Sequence, residues 1–81
     1  MFSMEIQEFI EHFSEQFDDT EQSEFTPNTV FHELEEYSSI IALSIIAMID
    51  EEYDITIGAN EMKASVTIED LFNIVKAKKG E

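Results

Sequence analysis

The run Ser38-Ser39-Ile40-Ile41-Ala42-Leu43-Ser44-Ile45-Ile46-Ala47-Met48-Ile49, closed by Asp50-Glu51-Glu52-Tyr53-Asp54, constrains this chain more than any other stretch. A helix that buries one face is apolar along one stripe. This one is apolar along nearly two. Ile45, Ile49 and Tyr53, joined by Ala42 and Ile46, make a core stripe at helical spacing, while Ile40, Leu43 and Ala47 fall on another side. The run is too short to span a bilayer. The segment is therefore expected as a helix from Ser38 or Ser39 to about Asp54, packed in a bundle, with a second stripe whose use has to be explained.

The rest of the chain offers partners for it. Phe2, Ile6, Phe9, Ile10, Phe13 and Phe17 recur at helical spacing with Glu5, Glu8, Glu11 and Glu15 mostly between them. This predicts an amphipathic first helix, capped by Ser3 and fraying near Asp18 and Asp19. No period holds from Thr20 to about Tyr37, and Thr26-Pro27-Asn28-Thr29 has the composition of a turn. A loop this long is unusual unless packed or functional, so Phe31 and Leu34 are expected to anchor it, with room for one short helical turn. Gly58 breaks the pattern after the apolar helix, and Ala59 to Ala64 suit a short helix. Thr67-Ile68-Glu69-Asp70 is a capping box with Asp in place of Glu. The last helix follows, burying Ile68, Leu71, Phe72 and Val75 and carrying Lys76, Lys78 and Lys79 where cations favour a C-terminus. The expected fold is all-α: a small four-helix bundle, three helices longer and one short, with a long first loop, in a single domain over 1–81.

At 81 residues a single core is close to its lower limit of sufficiency. No cysteine is present to supplement it, so disulfides, thiolate zinc and protein thiol chemistry are excluded. The formal charge is −15, and no Lys or Arg precedes Lys63. Nucleic acid and anionic lipid are poor partners for such a surface; basic proteins and cations are better ones. Nothing at the N-terminus has the charge and apolarity of a secretion signal. The expectation is a cytoplasmic monomer without a membrane span.

A serine at a helix start is most often an N-cap, and Ser38 suits that task. Ser39 falls at or inside the first turn, where a phosphate ester would face unpaired backbone N–H groups and the positive end of the helix dipole. Ile40, Leu43 and Ala47 begin beside it. A modified serine at the mouth of an apolar surface is a coherent device.

These residues resemble the acyl carrier proteins, small acidic helical bundles that carry acyl groups as thioesters on phosphopantetheine. Their hallmark is Asp-Ser-Leu at the start of the second helix, followed by an acidic, apolar-rich helix. Here Ser38-Ser39-Ile40 stands for the hallmark and Ile49-Asp50-Glu51-Glu52-Tyr53-Asp54-Ile55-Thr56-Ile57 for the helix end. The resemblance covers essentially the whole chain, with departures. Ser38 replaces the aspartate, Ile41 replaces an acidic residue, and Glu36-Tyr37 stands where a glycine is usual. Spacing to Tyr53 favours Ser39 as the attachment residue; spacing to the upstream Leu34 favours Ser38. Ser39 is preferred, because a helix fixes spacing and a loop does not, and Ser38 is second. The resemblance implies a carrier, not an enzyme, modified from coenzyme A by a phosphopantetheinyl transferase and visited by acyl-processing enzymes of fatty acid or polyketide-type biosynthesis with basic docking patches. Glu35, Glu36, Ile40, Leu43, Ala47, Asp50 and Glu51 are then the candidate recognition residues.

Two other readings compete. Asp50 to Glu61 has oxygen side chains at several positions of a helix–loop–helix calcium loop, but Ile55 stands where that loop needs glycine. Alternatively the chain is an unmodified acidic interaction domain in which Ile40 and Leu43 dock a partner helix. Catalysis is the weakest reading: His12 and His32 have no spacing that pairs them with a nucleophile or ligand set, so both are expected to be structural, and no metal ligands are assigned.

Overall fold

The computed structural model describes residues 5–80. It contains four helices: α1 (Ile6–Ser14), α2 (Ser39–Tyr53), α3 (Ala59–Ala64) and α4 (Ile68–Lys79). Two short 3-10 turns, Gln22–Glu24 and Phe31–Glu33, punctuate the long connection between α1 and α2. No strand occurs among the described residues; Val30 and Thr67 form an isolated antiparallel bridge. The expected all-α bundle, with three longer helices and one short, is the fold observed. Phe2 and the Ser3 cap lie outside the described residues.

The first helix is shorter than its sequence suggests. It stops at Ser14, whose hydroxyl donates back to the Glu11 carbonyl (2.8 Å). The chain then tightens, with Gln16 N–H bonded to Phe13 O and Phe17 N–H to Ser14 O. Beyond Phe17 the next amides leave the helix because Glu36 takes them. Its carboxylate accepts from Asp18 N (2.6 Å), Asp19 N (2.9 Å) and the Thr20 hydroxyl (2.8 Å). The apolar period through Phe17 is therefore kept in burial but not in backbone conformation.

Aromatic side chains fill the core. Phe9 and Phe13 of α1, Phe31 of the connection, Ile45 and Ile49 of α2, and Ile68, Leu71 and Val75 of α4 are fully buried. Phe13 lies 5.4 Å from Phe31 and 6.1 Å from Phe25, both edge-on, and Phe9 lies 5.4 Å from Phe72. Phe31 anchors the connection as expected, with Leu34 packed at the margin of the core. Phe25 was not among the expected anchors; it sits in a stretch with no period to betray it. Tyr53 is half-buried between Phe9 and His12, and burial, helped by Glu8 and Glu52, pushes its hydroxyl up to about 12.

Polar contacts strap the connections down. The carbonyls of Thr29 and Pro27 accept from Ile68 N (3.1 Å) and Glu69 N (3.0 Å), two amides of the first turn of α4 that have no partner within the helix. The Thr67–Asp70 capping box is present as expected. Asp54 ends α2 in the left-handed region (φ 58°), a conformation Asp tolerates better than most residues. Lys78 and Lys79 act beyond their own helix end. Lys79 donates to Tyr53 O, the last residue of α2 (2.9 Å), and Lys78 to Thr56 O and Glu61 Oε1 (both 2.9 Å). Two of the four cations thus clamp the α2–α3 link.

The Glu36 cap gives a test. The amides of Asp18 and then Asp19 hold its carboxyl below the ordinary range, against a smaller opposing effect of burial. A carboxyl lowered in the folded state stabilises the fold above its unfolded pKa, and loses that contribution as pH falls through the lowered folded value. Glu36→Gln is thus expected to be less stable than the parent at pH 7, with the gap closing in acid. Urea unfolding of both chains at pH 7 and pH 3 measures it. Comparing the two chains largely cancels the relief of charge repulsion on acidification, and a gap that widens toward pH 3 contradicts the assignment.

Candidate functional site

The two serines hold different positions at the start of α2. Ser38 is the N-cap, extended in backbone (φ −155°, ψ 176°), and its Oγ accepts from Ile41 N (3.3 Å). Ser39 is the first helical residue, and its side chain is exposed. No acidic residue stands in the first turn of α2.

Beside Ser39 a cleft of about 400 Å³ opens between α2 and α3. Ala42, Leu43 and Ile46 form one wall, and Met62 and Lys63 stand on the other. His32 and Tyr37 contribute from the connection. Ala42 and Ile46, expected in the core stripe, are half-buried and face this cleft; the fully buried residues of α2 are Ile45 and Ile49. The cleft persists because its margin is tied. His32 Nε2 lies 2.9 Å from Ser65 O and 3.1 Å from Met62 O, and two carbonyls can only accept, so Nε2 carries the hydrogen. This holds the Phe31–Glu33 turn against the C-terminal end of α3. His32 is a structural histidine, stacked on Phe31 (4.4 Å) and meeting Tyr37 edge-on (5.0 Å).

The second stripe of α2 is solvent-facing. Ile40 is 75% exposed and Leu43 66%, far more than large apolar side chains need to be in a bundle. Leu43 rims the cleft with Ser39, whereas Ala47 lines a separate acidic groove toward α1 with Glu51 and Glu52. Asp50 and Glu51 are exposed near the far end of α2, and Glu35 is exposed before its start. Glu36 differs from them in having its carboxylate engaged by the amides of Asp18 and Asp19. Sequence reasoning missed His32, Tyr37, Met62 and Lys63 as neighbours of Ser39. They come from separate segments, and no spacing relates them.

The twelve residues that resembled a calcium loop adopt another structure. Asp50 to Tyr53 belong to α2, Asp54 caps it, and Glu61 accepts from Gly58 N (3.0 Å) and Lys78 Nζ (2.9 Å). Among the described residues no group of three His, Asp or Glu side chains is arranged to hold a metal. No described helix is long and apolar enough to cross a membrane.

Residues 7–75 match the family described as "Phosphopantetheine attachment site". The chain belongs to that family. Among curated proteins and among solved structures no match is found. Phosphopantetheine attachment domains carry the prosthetic group covalently and are carriers, not catalysts. The residues here fit the group: an exposed hydroxyl at the first helical position, next to a cleft whose walls are largely apolar. When bound, the group supplies the thiol that this cysteine-free carrier domain lacks.

Proposed function

We propose that the chain is an acyl carrier protein whose phosphopantetheine is attached to Ser39, and that it serves fatty acid or related polyketide-type enzymes. The observation that carries the choice of serine is the division of labour at the start of α2. Ser38 acts as the cap, the task that suits the aspartate of the Asp-Ser-Leu hallmark, whereas Ser39 is the first helical residue, is exposed and has a side chain that caps nothing, which supports reading it as the hallmark serine. Arm and cargo gain about 0.8 kcal/mol for each methylene withdrawn from water, so the adjoining cleft, lined by Leu43 and Ile46, is a favourable surface for them. Incubating the protein with coenzyme A and a broad-specificity transferase, followed by fragmentation of the adduct, tests the reading. A label on Ser39 supports it, a label on Ser38 reverses the assignment of the pair, and an unmodified protein favours the plain interaction domain.

Recognition by basic partners is part of the same reading. Ile40 and Leu43 supply apolar contact, and Glu35, Asp50 and Glu51 supply a field that speeds encounter. Reversing Asp50 and Glu51 to lysine is expected to slow transferase association by roughly tenfold at low ionic strength, with the difference shrinking as salt rises. Stopped-flow association rates across a sodium chloride series measure it. Equal rates at low salt would reduce these acids to a solvated face.

A further inference from the structure

Lys63 stands apart from the other cations. Lys76, Lys78 and Lys79 all lie on α4, where Lys76 is 6.0 Å from the Phe72 ring centroid, Lys78 is bonded to the Thr56 carbonyl of the α2–α3 link and Lys79 to the Tyr53 carbonyl at the end of α2. Lys63 is alone on α3, exposed, and lines the same cleft as Ser38 and Ser39. Among the described residues no carboxylate pairs with it. In a chain of net charge −15, Lys63 is thus a cation free of the salt bridges among the described residues at an otherwise largely apolar cleft, where an anion brought to Ser39 can meet it.

We propose that Lys63 is a positioning residue that binds the phosphodiester of the prosthetic arm and holds the arm over the α2–α3 cleft. This rests on attachment at Ser39. An anionic group carried at the far end of the arm is the other possible source of charge, but the arm is long and flexible and its end is free to roam. The phosphodiester is the one anion bonded directly to the serine oxygen, so it is present at this cleft, which Lys63 also lines, in every loaded state. An ammonium on a flexible stem suits a single charged oxygen of that kind. The first-turn amides of α2 favour the added negative charge, and among the described residues Lys63 is the one side-chain cation lining the cleft that offsets the acidic field of the rest of the chain.

The test uses the arm with a bare thiol, so that no cargo charge is present. Wild type, Lys63→Gln and Lys63→Arg are each converted to the phosphopantetheine form and the site of attachment is mapped. The phosphorus NMR resonance is then followed through a sodium chloride titration. It is expected to move with salt in wild type and in Lys63→Arg, and to be salt-insensitive in Lys63→Gln, because an exposed ion pair is lost to screening. In parallel, acylation of Lys63 by an amine-reactive ester is expected to be roughly threefold slower in the loaded protein than in the apo protein, the size of effect an exposed ion pair supplies. Lys76 serves as the internal control. An adduct on Ser39 with an identical phosphorus response in all three proteins, and unchanged Lys63 reactivity, overturns the proposal and leaves the carrier reading standing. A Lys63 response that appears only when a carboxylated cargo is loaded overturns it in favour of a cargo contact. An adduct on Ser38 instead overturns the attachment on which the proposal rests and leaves a carrier standing, and absence of any adduct overturns both.

Discussion

Ser39→Ala is expected to abolish phosphopantetheine attachment completely, while Ser38→Ala is expected to accept the group and lose about 1 kcal/mol of stability. The two serines are neighbours, so the contrast tests geometry and not composition. Ser38 Oγ accepts from Ile41 N, and removing it leaves a first-turn amide of α2 without its cap. Ser39 has an exposed side chain, and alanine is a better helix former than serine, so Ser39→Ala is expected to fold at least as well as the parent. Loss of the adduct in Ser39→Ala therefore cannot be blamed on unfolding. Intact mass after reaction with coenzyme A and transferase reads attachment, and urea midpoints read the cap. An adduct on Ser39→Ala that maps to Ser38 would sink the assignment.

That contrast also shows what the sequence made legible. Periodicity identified α2 and its fully buried residues Ile45 and Ile49, and the same reasoning identified α4 with Ile68, Leu71, Phe72 and Val75. The capping box at Thr67 and Asp70 was readable because it is a local pattern of residue types. The end of α1 was not. Apolar spacing continues through Phe17, but Glu36, 18 residues further on than Asp18, takes the amides that a longer helix would have used. No property of the α1 sequence announces a long-range acceptor. The site divides in the same way. The exposed Ile40 and Leu43 follow from the helical wheel of one segment, whereas the opposite wall of the cleft depends on where α3 lands. That is fixed by His32 bridging to Met62 and Ser65, and by Lys78 and Lys79 gripping the preceding link, all contacts between residues far apart in sequence.

Phe31→Ala is expected to carry the largest penalty of any substitution in the connection, about 3–5 kcal/mol, the range for deleting a buried aromatic side chain. A domain of this size has roughly 5 kcal/mol of total stability to lose. Phe31 is fully buried, packs edge-on against Phe13 of α1, and is stacked with His32 and edge-on to Tyr37 on the side of the cleft. Its loss therefore opens a cavity in the core and removes the support for the two connection residues that line the cleft. The loss cannot be absorbed by collapse of a soft loop, because Thr29 and Pro27 are bonded to the start of α4 and His32 to α3. Phe31→Leu retains most of the apolar volume and is expected to fold, which separates packing from any requirement for an aromatic ring. Thermal and urea unfolding followed by far-UV circular dichroism measure both variants. A large fall in the urea midpoint of Phe31→Ala, leaving about 0–2 kcal/mol and up to roughly half of the molecules unfolded without denaturant, is the expected result. A penalty below about 1 kcal/mol would mean that the connection is not held through Phe31, and the tie between core packing and the cleft beside Ser39 would have to be abandoned.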